Sequence, residues 1–517
     1  MQELNLDGHS LRFSDVLAVA YDSDIKVHLS ESAKPQILKA ANAVKAFVDD
    51  KKVVYGITTG FGAFKDHIIS PENVNQLQHN ILVSHAVGVG DKLDVPTTRA
   101  IMVIRANTLA QGHSGIRLET LERLINFLNL GIIPIIPEKG SLGASGDLAP
   151  LAHMALPLIG HGDVIFNGIQ MPAEQALRQA NLPPISLCAK EGLALTNGTT
   201  FMTAQGLLTC DAAEKIISTA NIAAALSLEA LNGTLTAFDP RIHQLRPHQG
   251  QAEIAKAMRA LLEDSQLIRG KESLNVQDAY TLRCIPQVHG AILDALRYAK
   301  RIIETELNAV TDNPLIFFDD NDQPLILSGG NFHGEPLALA LDFLKIAMTD
   351  LGNISERRIA KLVDETNNQY LLPAFLTLEG GLNSGFMLLQ YTAAALASEN
   401  KVLSHPSSAD SLPSSGSVED HVSMGANAAL HARQVISNLQ KIVAIELMCA
   451  AQAVDFRLMK SPGFKLGRGT GLAYNLVRQH IPFIKKDCLL YPHLNEIIDL
   501  VSSAKVFQAV SEVILKT

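Results

Sequence analysis

Three small residues in succession, Ala144, Ser145 and Gly146, lie inside the stretch Gly140-Ser141-Leu142-Gly143-Ala144-Ser145-Gly146-Asp147-Leu148-Ala149-Pro150. The Gly146 nitrogen has no Cβ beside it, so a tightly bent loop can bring it to the Ala144 carbonyl carbon. Ring closure, with loss of water from the ring and from Ser145, leaves an exocyclic methylidene at the former Ser145 Cβ. That carbon is an electrophile no unmodified side chain supplies, and an amine would add to it. A plain Gly-rich turn is the competing reading of so short a motif. Two other catalytic readings fail on the residues. A nucleophile elbow needs glycine two positions on each side of serine, and Asp147 stands where the second would be. A phosphate loop needs a Lys-Ser or Lys-Thr pair that does not follow.

The loop resembles that of the ammonia-lyases and aminomutases that build a 4-methylideneimidazol-5-one (MIO) group from Ala-Ser-Gly. Further blocks match in the family's order across almost the whole chain: Tyr55-Gly56-Ile57-Thr58-Thr59-Gly60-Phe61-Gly62, Ser84-His85-Ala86, Glu191 to Thr199, Val276 to Arg283, Thr311-Asp312-Asn313-Pro314, Gly329 to Glu335, and Glu419-Asp420-His421-Val422-Ser423-Met424. The histidine-acting branch is the nearest in these residues. The resemblance implies an MIO formed from Ala144, Ser145 and Gly146, with no dissociable cofactor. It also implies a fumarase/aspartase-like helical fold and a homotetramer whose active sites each draw residues from three chains.

Ammonia elimination needs a base for a barely acidic β-hydrogen, and a well-placed base contributes about 10²–10⁴-fold. The resemblance assigns that base to Tyr55, in a Gly-rich segment that lets a phenol reach a cavity. Arg283 follows Tyr280 by three positions on a predicted helix, so both share a face, and a guanidinium fork suits the substrate carboxylate. Gln277, a turn earlier, is expected on the same face, and the resemblance places Gln277 and Tyr280 near the MIO. Asn197 would hydrogen-bond the MIO carbonyl or the substrate carboxylate. Phe332 matches a phenylalanine packed near the MIO.

Substrate choice rests on Ser84-His85, where phenylalanine- and tyrosine-specific relatives carry a bulky pair, and on Glu419, where the former have glutamine. An imidazole and a carboxylate there suit L-histidine, which would yield trans-urocanate and ammonia as the first step of histidine degradation. A 2,3-aminomutase or a tyrosine or phenylalanine lyase is the alternative within the family. An inactive structural relative is the alternative outside catalysis. Three positions depart from the pattern: Ala279 replaces a common proline, Thr200 a common glutamine, and Ser417-Val418 an Asn-Gln pair beside Glu419.

The elements that must hold these residues read as mainly α. A mixed, mostly helical domain is expected at about 1–191, and a long-helix bundle at 192–517. Asn167-Gly168 between apolar residues signals a hairpin. Helical spacing covers Pro35 to Val48, Pro71 to Ala86, Ala279 to Asn308, Pro336 to Glu365, Ser384 to Leu403 and His421 to Phe456. Ser407 to Ser417 reads as a loop.

With 517 residues, 47% apolar and 18% charged, the composition is that of a globular protein. A net charge of −9 without a basic run excludes an electrostatic nucleic-acid footprint. Five scattered cysteines fit reduced cytosolic thiols, and no signal peptide or membrane span is read, so the expectation is a cytoplasmic protein. No histidine pattern carries metal-ligand spacing, and no metal is expected.

Overall fold

The computed structural model describes residues 3–270 and 276–515. The chain falls into two compact units. One comprises Met1–Leu208, Lys300–Asp342 and Pro406–Leu430; the other comprises Thr209–Ala299, Phe343–His405 and His431–Thr517. Four of the five boundaries between them fall inside the helices Thr200–Ala230, Ile285–Glu306, Glu335–Val363 and Gly425–Lys460; the fifth, at His405/Pro406, follows the helix Met387–Leu403.

In the first unit the helix Val95–Ala110, buried from its third residue onward, runs through the core. Asp94 starts it by accepting the Thr97 N–H at 2.8 Å, with Pro96 in the first turn. Every residue from Thr97 to Ala110 is buried, Arg99 and Arg105 included. Small sheets surround this core. Glu3–Leu6 pairs in parallel with Lys26–Leu29, Leu315–Phe318 pairs with Pro324–Leu327, and Asp163–Phe166 pairs with both Ile133–Pro134 and Ile169–Pro172. The Asn167-Gly168 hairpin forms as expected, with both residues at positive φ (53° and 77°), which the mirror-image tight turn requires. The protein is mainly helical, as its periodicity predicts. Among the described residues no helix is long and apolar enough to cross a membrane.

Several predicted helices occur with trimmed ends, and the trims matter. The stretch Ala279 to Asn308 splits into Tyr280–Arg283 and Ile285–Glu306. The helix expected from His421 starts only at Gly425. Before it, Met424 sits at φ 53° and its N–H bonds the Leu142 carbonyl at 2.9 Å, so this backbone holds the Gly-rich loop instead of propagating a helix.

The second unit buries an ion pair in its interior. Arg358 and Glu446 are fully buried, with Arg358 Nη2 donating to Glu446 Oε2 at 2.9 Å. Ser227 and Ser355 hydroxyls also donate to Glu446, at 2.8 and 2.6 Å. The carboxylate's lone pairs are thereby used, which is the condition for holding a charge away from water.

Candidate active site

The loop carrying Ala144, Ser145 and Gly146 is clamped from several sides within the first unit. Ser423 Oγ donates to the Gly143 carbonyl at 3.1 Å, and Ser141 Oγ accepts the Gly143 N–H at 3.0 Å. Gly146 lies beside Gly198 in a parallel bridge, and the Asp147 N–H donates to the Gly198 carbonyl at 2.7 Å. Gly146 must be glycine here. Its φ is +75°, and a Cβ would lie 2.3 Å from the Gly198 oxygen. Gly198 is held as closely, since its own Cβ would meet Thr311 Oγ1 at 2.5 Å and Arg105 Nη1 at 2.7 Å. Glycines at 146 and 198 therefore let two backbones approach where any side chain would part them.

Asp147 anchors the far end of the loop. It is fully buried and accepts the Met202 N–H at 3.0 Å and the Ser141 hydroxyl at 3.0 Å, at the start of the helix Thr200–Ala230. Burial pushes its carboxyl up to about 7, against those hydrogen bonds, which favour the charge. Against Gly198 lies a buried charged group. Lys190 Nζ donates to Asp312 Oδ2 at 2.7 Å, and Arg105 Nη2 donates to the Ala194 carbonyl while its Nε and Nη1 have no partner. Burial brings Arg105 down to about 10.

A cavity of about 1300 Å³ opens over the loop. Tyr55, Ser84, His85, Ala144, Ser145, Asn197, Phe332 and Glu419 all line it; Gly146 lines a smaller adjoining one of about 290 Å³. Ser145 Oγ donates to Glu419 Oε1 at 2.7 Å, and the second carboxylate oxygen accepts from Ser414 Oγ at 2.8 Å. Asn197 Nδ2 donates to the Ser145 carbonyl at 2.7 Å, and its buried Oδ1 has no partner. Ser84 Oγ and His85 Nδ1 are 3.0 Å apart. Burial lowers the His85 imidazole, with the Ile81 carbonyl and Glu419 opposing, which leaves it biased toward the neutral form. Burial raises the Tyr55 phenol; the Gly62 N–H opposes this and the Glu419 charge adds to it. Val418 lines the same cavity, and Ser417 occupies a positive-φ position (65°) beside it. Thr200 is buried, its hydroxyl without a partner.

Gln277, Tyr280 and Arg283 belong to the second unit and do not line this cavity. Arg283 lies over the Tyr280 ring, 4.4 Å from its centroid, so the shared face exists. Gln277 does not join it, because the helix begins at Tyr280 and Ala279 is extended (ψ 156°). Asp278 ties the chain down there, pairing with Arg269 at 2.8 Å and accepting the Thr234 N–H at 2.8 Å. Tyr280 is 70% exposed.

Sequence reading passed over Asp147, Ser414, Arg105 and Lys190, although Asp147 and Lys190 adjoin or fall inside motifs it singled out. It also found no metal ligands, whereas among the described residues His333, Glu335 and His421 come together with potential ligand atoms within 4.8 Å of one another. No spacing motif could reveal that group, since its members lie almost ninety residues apart.

An Ala-Ser-Gly loop, a phenol and a hydrogen-bonded carboxylate around one cavity set the comparison with known proteins. Residues 11–479 match the aromatic amino acid lyase family. The chain is 57% identical over 512 residues to a histidine ammonia-lyase of Chloroflexus aurantiacus, covering 98% of each. It superposes on the crystal structure of histidine ammonia-lyase from Trypanosoma cruzi with a TM-score of 0.89 at 41% identity, over 99% of this chain and 95% of that one. The tyrosine aminomutase of Streptomyces globisporus gives 0.92 at 37% identity, over 99% and 98%. Matched in sequence and fold along almost its whole length, the chain belongs to the aromatic amino acid lyase family and is an enzyme of the ammonia-lyase type.

Proposed function

We propose that this enzyme eliminates ammonia from L-histidine to give trans-urocanate, using an MIO group formed from Ala144, Ser145 and Gly146. The full-length likeness to histidine ammonia-lyases carries the substrate assignment, and His85 and Glu419 in one cavity agree with an imidazole guest.

The chain's own residues suit the group. Gly146 has the positive φ and the absent Cβ that a tight ring needs, and Asn197 aims an amide N–H at the Ser145 carbonyl, where charge gathers when the ring accepts an amine. Once formed, the group supplies an electrophilic methylidene that takes the substrate amine. Tyr55 removes the β-proton; its raised pKa makes the phenolate a stronger base and a scarcer one at neutral pH. Glu419 orients the imidazole, and neutral His85 offers it a hydrogen bond. Arg283 grips the carboxylate bidentately. In this reading Gln277, Tyr280 and Arg283 reach the cavity from a neighbouring subunit of a homotetramer, which accords with the exposure of Tyr280.

The test is to supply L-histidine, L-tyrosine and L-phenylalanine in parallel and follow ultraviolet absorbance of a conjugated acrylate. A rise with histidine alone supports the reading. The likeness to a tyrosine aminomutase favours one alternative, in which ammonia re-adds at the β-carbon; a β-amino acid as the main product decides for it. Turnover of none of the three overturns both.

A further inference from the structure

Beside the cavity, three groups that the elimination does not use converge. His333 and His421 both line the cavity, and Glu335 opens the helix Glu335–Val363. Their potential ligand atoms lie within 4.8 Å of one another, and the two imidazole rings are parallel to within 4°, with centroids 5.8 Å apart. Glu335 Oε2 is buried without a hydrogen-bond partner. An unsatisfied buried carboxylate oxygen is costly unless something positive meets it, and the Glu335 N–H is turned to His333 Nδ1 instead, at 3.3 Å.

Each ligand is braced from behind. His421 Nδ1 lies 3.2 Å from Ser411 Oγ, which accepts the Val422 N–H at 3.0 Å. With Nδ1–H donating to that hydroxyl, Nε2 is the ring nitrogen free to ligate, the outer-shell arrangement usual for a ligating histidine. Gly334, between His333 and Glu335, is pressed against Met202, since a Cβ there would lie 2.4 Å from the Met202 sulfur. The His333-Gly334-Glu335 corner is thereby held in place.

From this geometry we infer a divalent transition-metal site formed by His333, Glu335 and His421, with zinc the best-fitting ion. Two imidazoles and a carboxylate form a three-protein-ligand zinc set, leaving a fourth position for water. Bond lengths of about 2.0–2.2 Å place tetrahedral ligand atoms roughly 3.5 Å apart, so the groups need to close by little more than about an ångström. His421 is exposed and has room to turn. Ligation through either nitrogen of His333 gives up the 3.3 Å contact from the Glu335 N–H, directly at Nδ1, or at Nε2 because the ring proton then moves to Nδ1.

The consequence is a cross-link along the wall of the cavity, which His333 and His421 line. His333 follows Phe332, and His421 lies two residues after Glu419. An ion there ties the Phe332 segment to the Glu419 segment, whatever amino acid the cavity accepts.

Isothermal titration of the EDTA-treated, dialysed full-length enzyme with Zn²⁺ tests this directly, with Co²⁺ followed in parallel by visible absorbance. The expected result is one saturable ion per chain and an intense tetrahedral-type Co²⁺ spectrum. Glu335→Gln and His421→Ala should each weaken binding more than tenfold, and His405→Ala should not. Far-ultraviolet circular dichroism and thermal midpoints in EDTA establish that the variants fold; Glu335→Gln keeps the side-chain size and serves if His421→Ala does not. Absence of saturable binding by the wild type, or unchanged affinity in a folded Glu335→Gln variant, overturns the site.

Discussion

Ser145 Oγ donates a 2.7 Å hydrogen bond to Glu419 Oε1, joining residues 274 positions apart. Glu419 is itself set by Ser414, which bonds its carboxylate at 2.8 Å and its carbonyl oxygen at 2.7 Å. Glu419→Gln preserves the size while removing the charge; because Ser145 Oγ leaves as water when the ring forms, the charged hydrogen bond at stake in turnover is the one Glu419 accepts from the substrate imidazole. A charged hydrogen bond is worth about 1.5–3 kcal/mol, so kcat/KM for L-histidine should fall about 10- to 100-fold. Near-ultraviolet absorbance of the MIO group should persist in this variant and vanish in Ser145→Ala.

Tyr55→Phe should lower kcat by about 10²–10⁴-fold with the fold intact, as loss of a general base does. The raised phenol predicts a pH dependence of known sign. The ionised fraction grows as pH rises, so the base-dependent limb of kcat climbs toward alkaline pH. Because the Glu419 charge adds to that raised pKa, Glu419→Gln should move the limb to lower pH. Steady-state kinetics between pH 7 and 10 check both, and a limb that stays in place in Glu419→Gln argues against this electrostatic link.

Gly146→Ala should abolish the electrophile. The new methyl has to occupy space 2.3 Å from the Gly198 oxygen at a φ of +75°, and strain of this kind costs about 1–3 kcal/mol before the clash is counted. Expected readouts are absent near-ultraviolet absorbance, no turnover and a lowered thermal midpoint. Retained absorbance would show that the loop closes by another path.

Asp147 makes stability fall with pH over a defined window. Its folded pKa of about 7 exceeds the ordinary 3.8, so its contribution is fully present below about 3.8 and lost as pH rises to about 7. The gap corresponds to roughly 4 kcal/mol. Asp147→Asn cannot ionise, so its thermal midpoint relative to wild type should improve between pH 5 and pH 8. An unvarying difference across that range would falsify the burial effect.

Arg358 and Glu446 form a pair whose rupture should be severe. Arg358→Ala leaves Glu446 charged and dry, at about 3–5 kcal/mol. Arg358 Nη1 also reaches the Thr281 carbonyl at 3.4 Å, within the short helix that carries Tyr280 and Arg283. Denaturant midpoints should drop strongly, and KM for L-histidine should rise in any residual activity.

The helical class, the Asn167-Gly168 hairpin and the tight Ala144-Ser145-Gly146 bend were legible because each follows from local rules: periodicity, a positive-φ turn, and residues small enough to bend. Helix ends were less legible where a distant partner decides them. Nothing near Met424 announces that its N–H is committed to Leu142, and nothing near Gln277 announces that Asp278 is tied to Arg269 and Thr234.

The chain by itself determined which reactive groups are on offer: an Ala-Ser-Gly loop, a phenol, an arginine and a carboxylate, with no metal motif in their spacing. Tertiary structure decided who meets whom. It set Glu419 on Ser145, seated Gly146 against Gly198, raised Asp147 by burying it, and gathered His333, Glu335 and His421 beside the cavity. The physical reason is that reactivity type belongs to the side chain, whereas distance, desolvation and charge environment belong to contacts between segments that sequence order does not bring together.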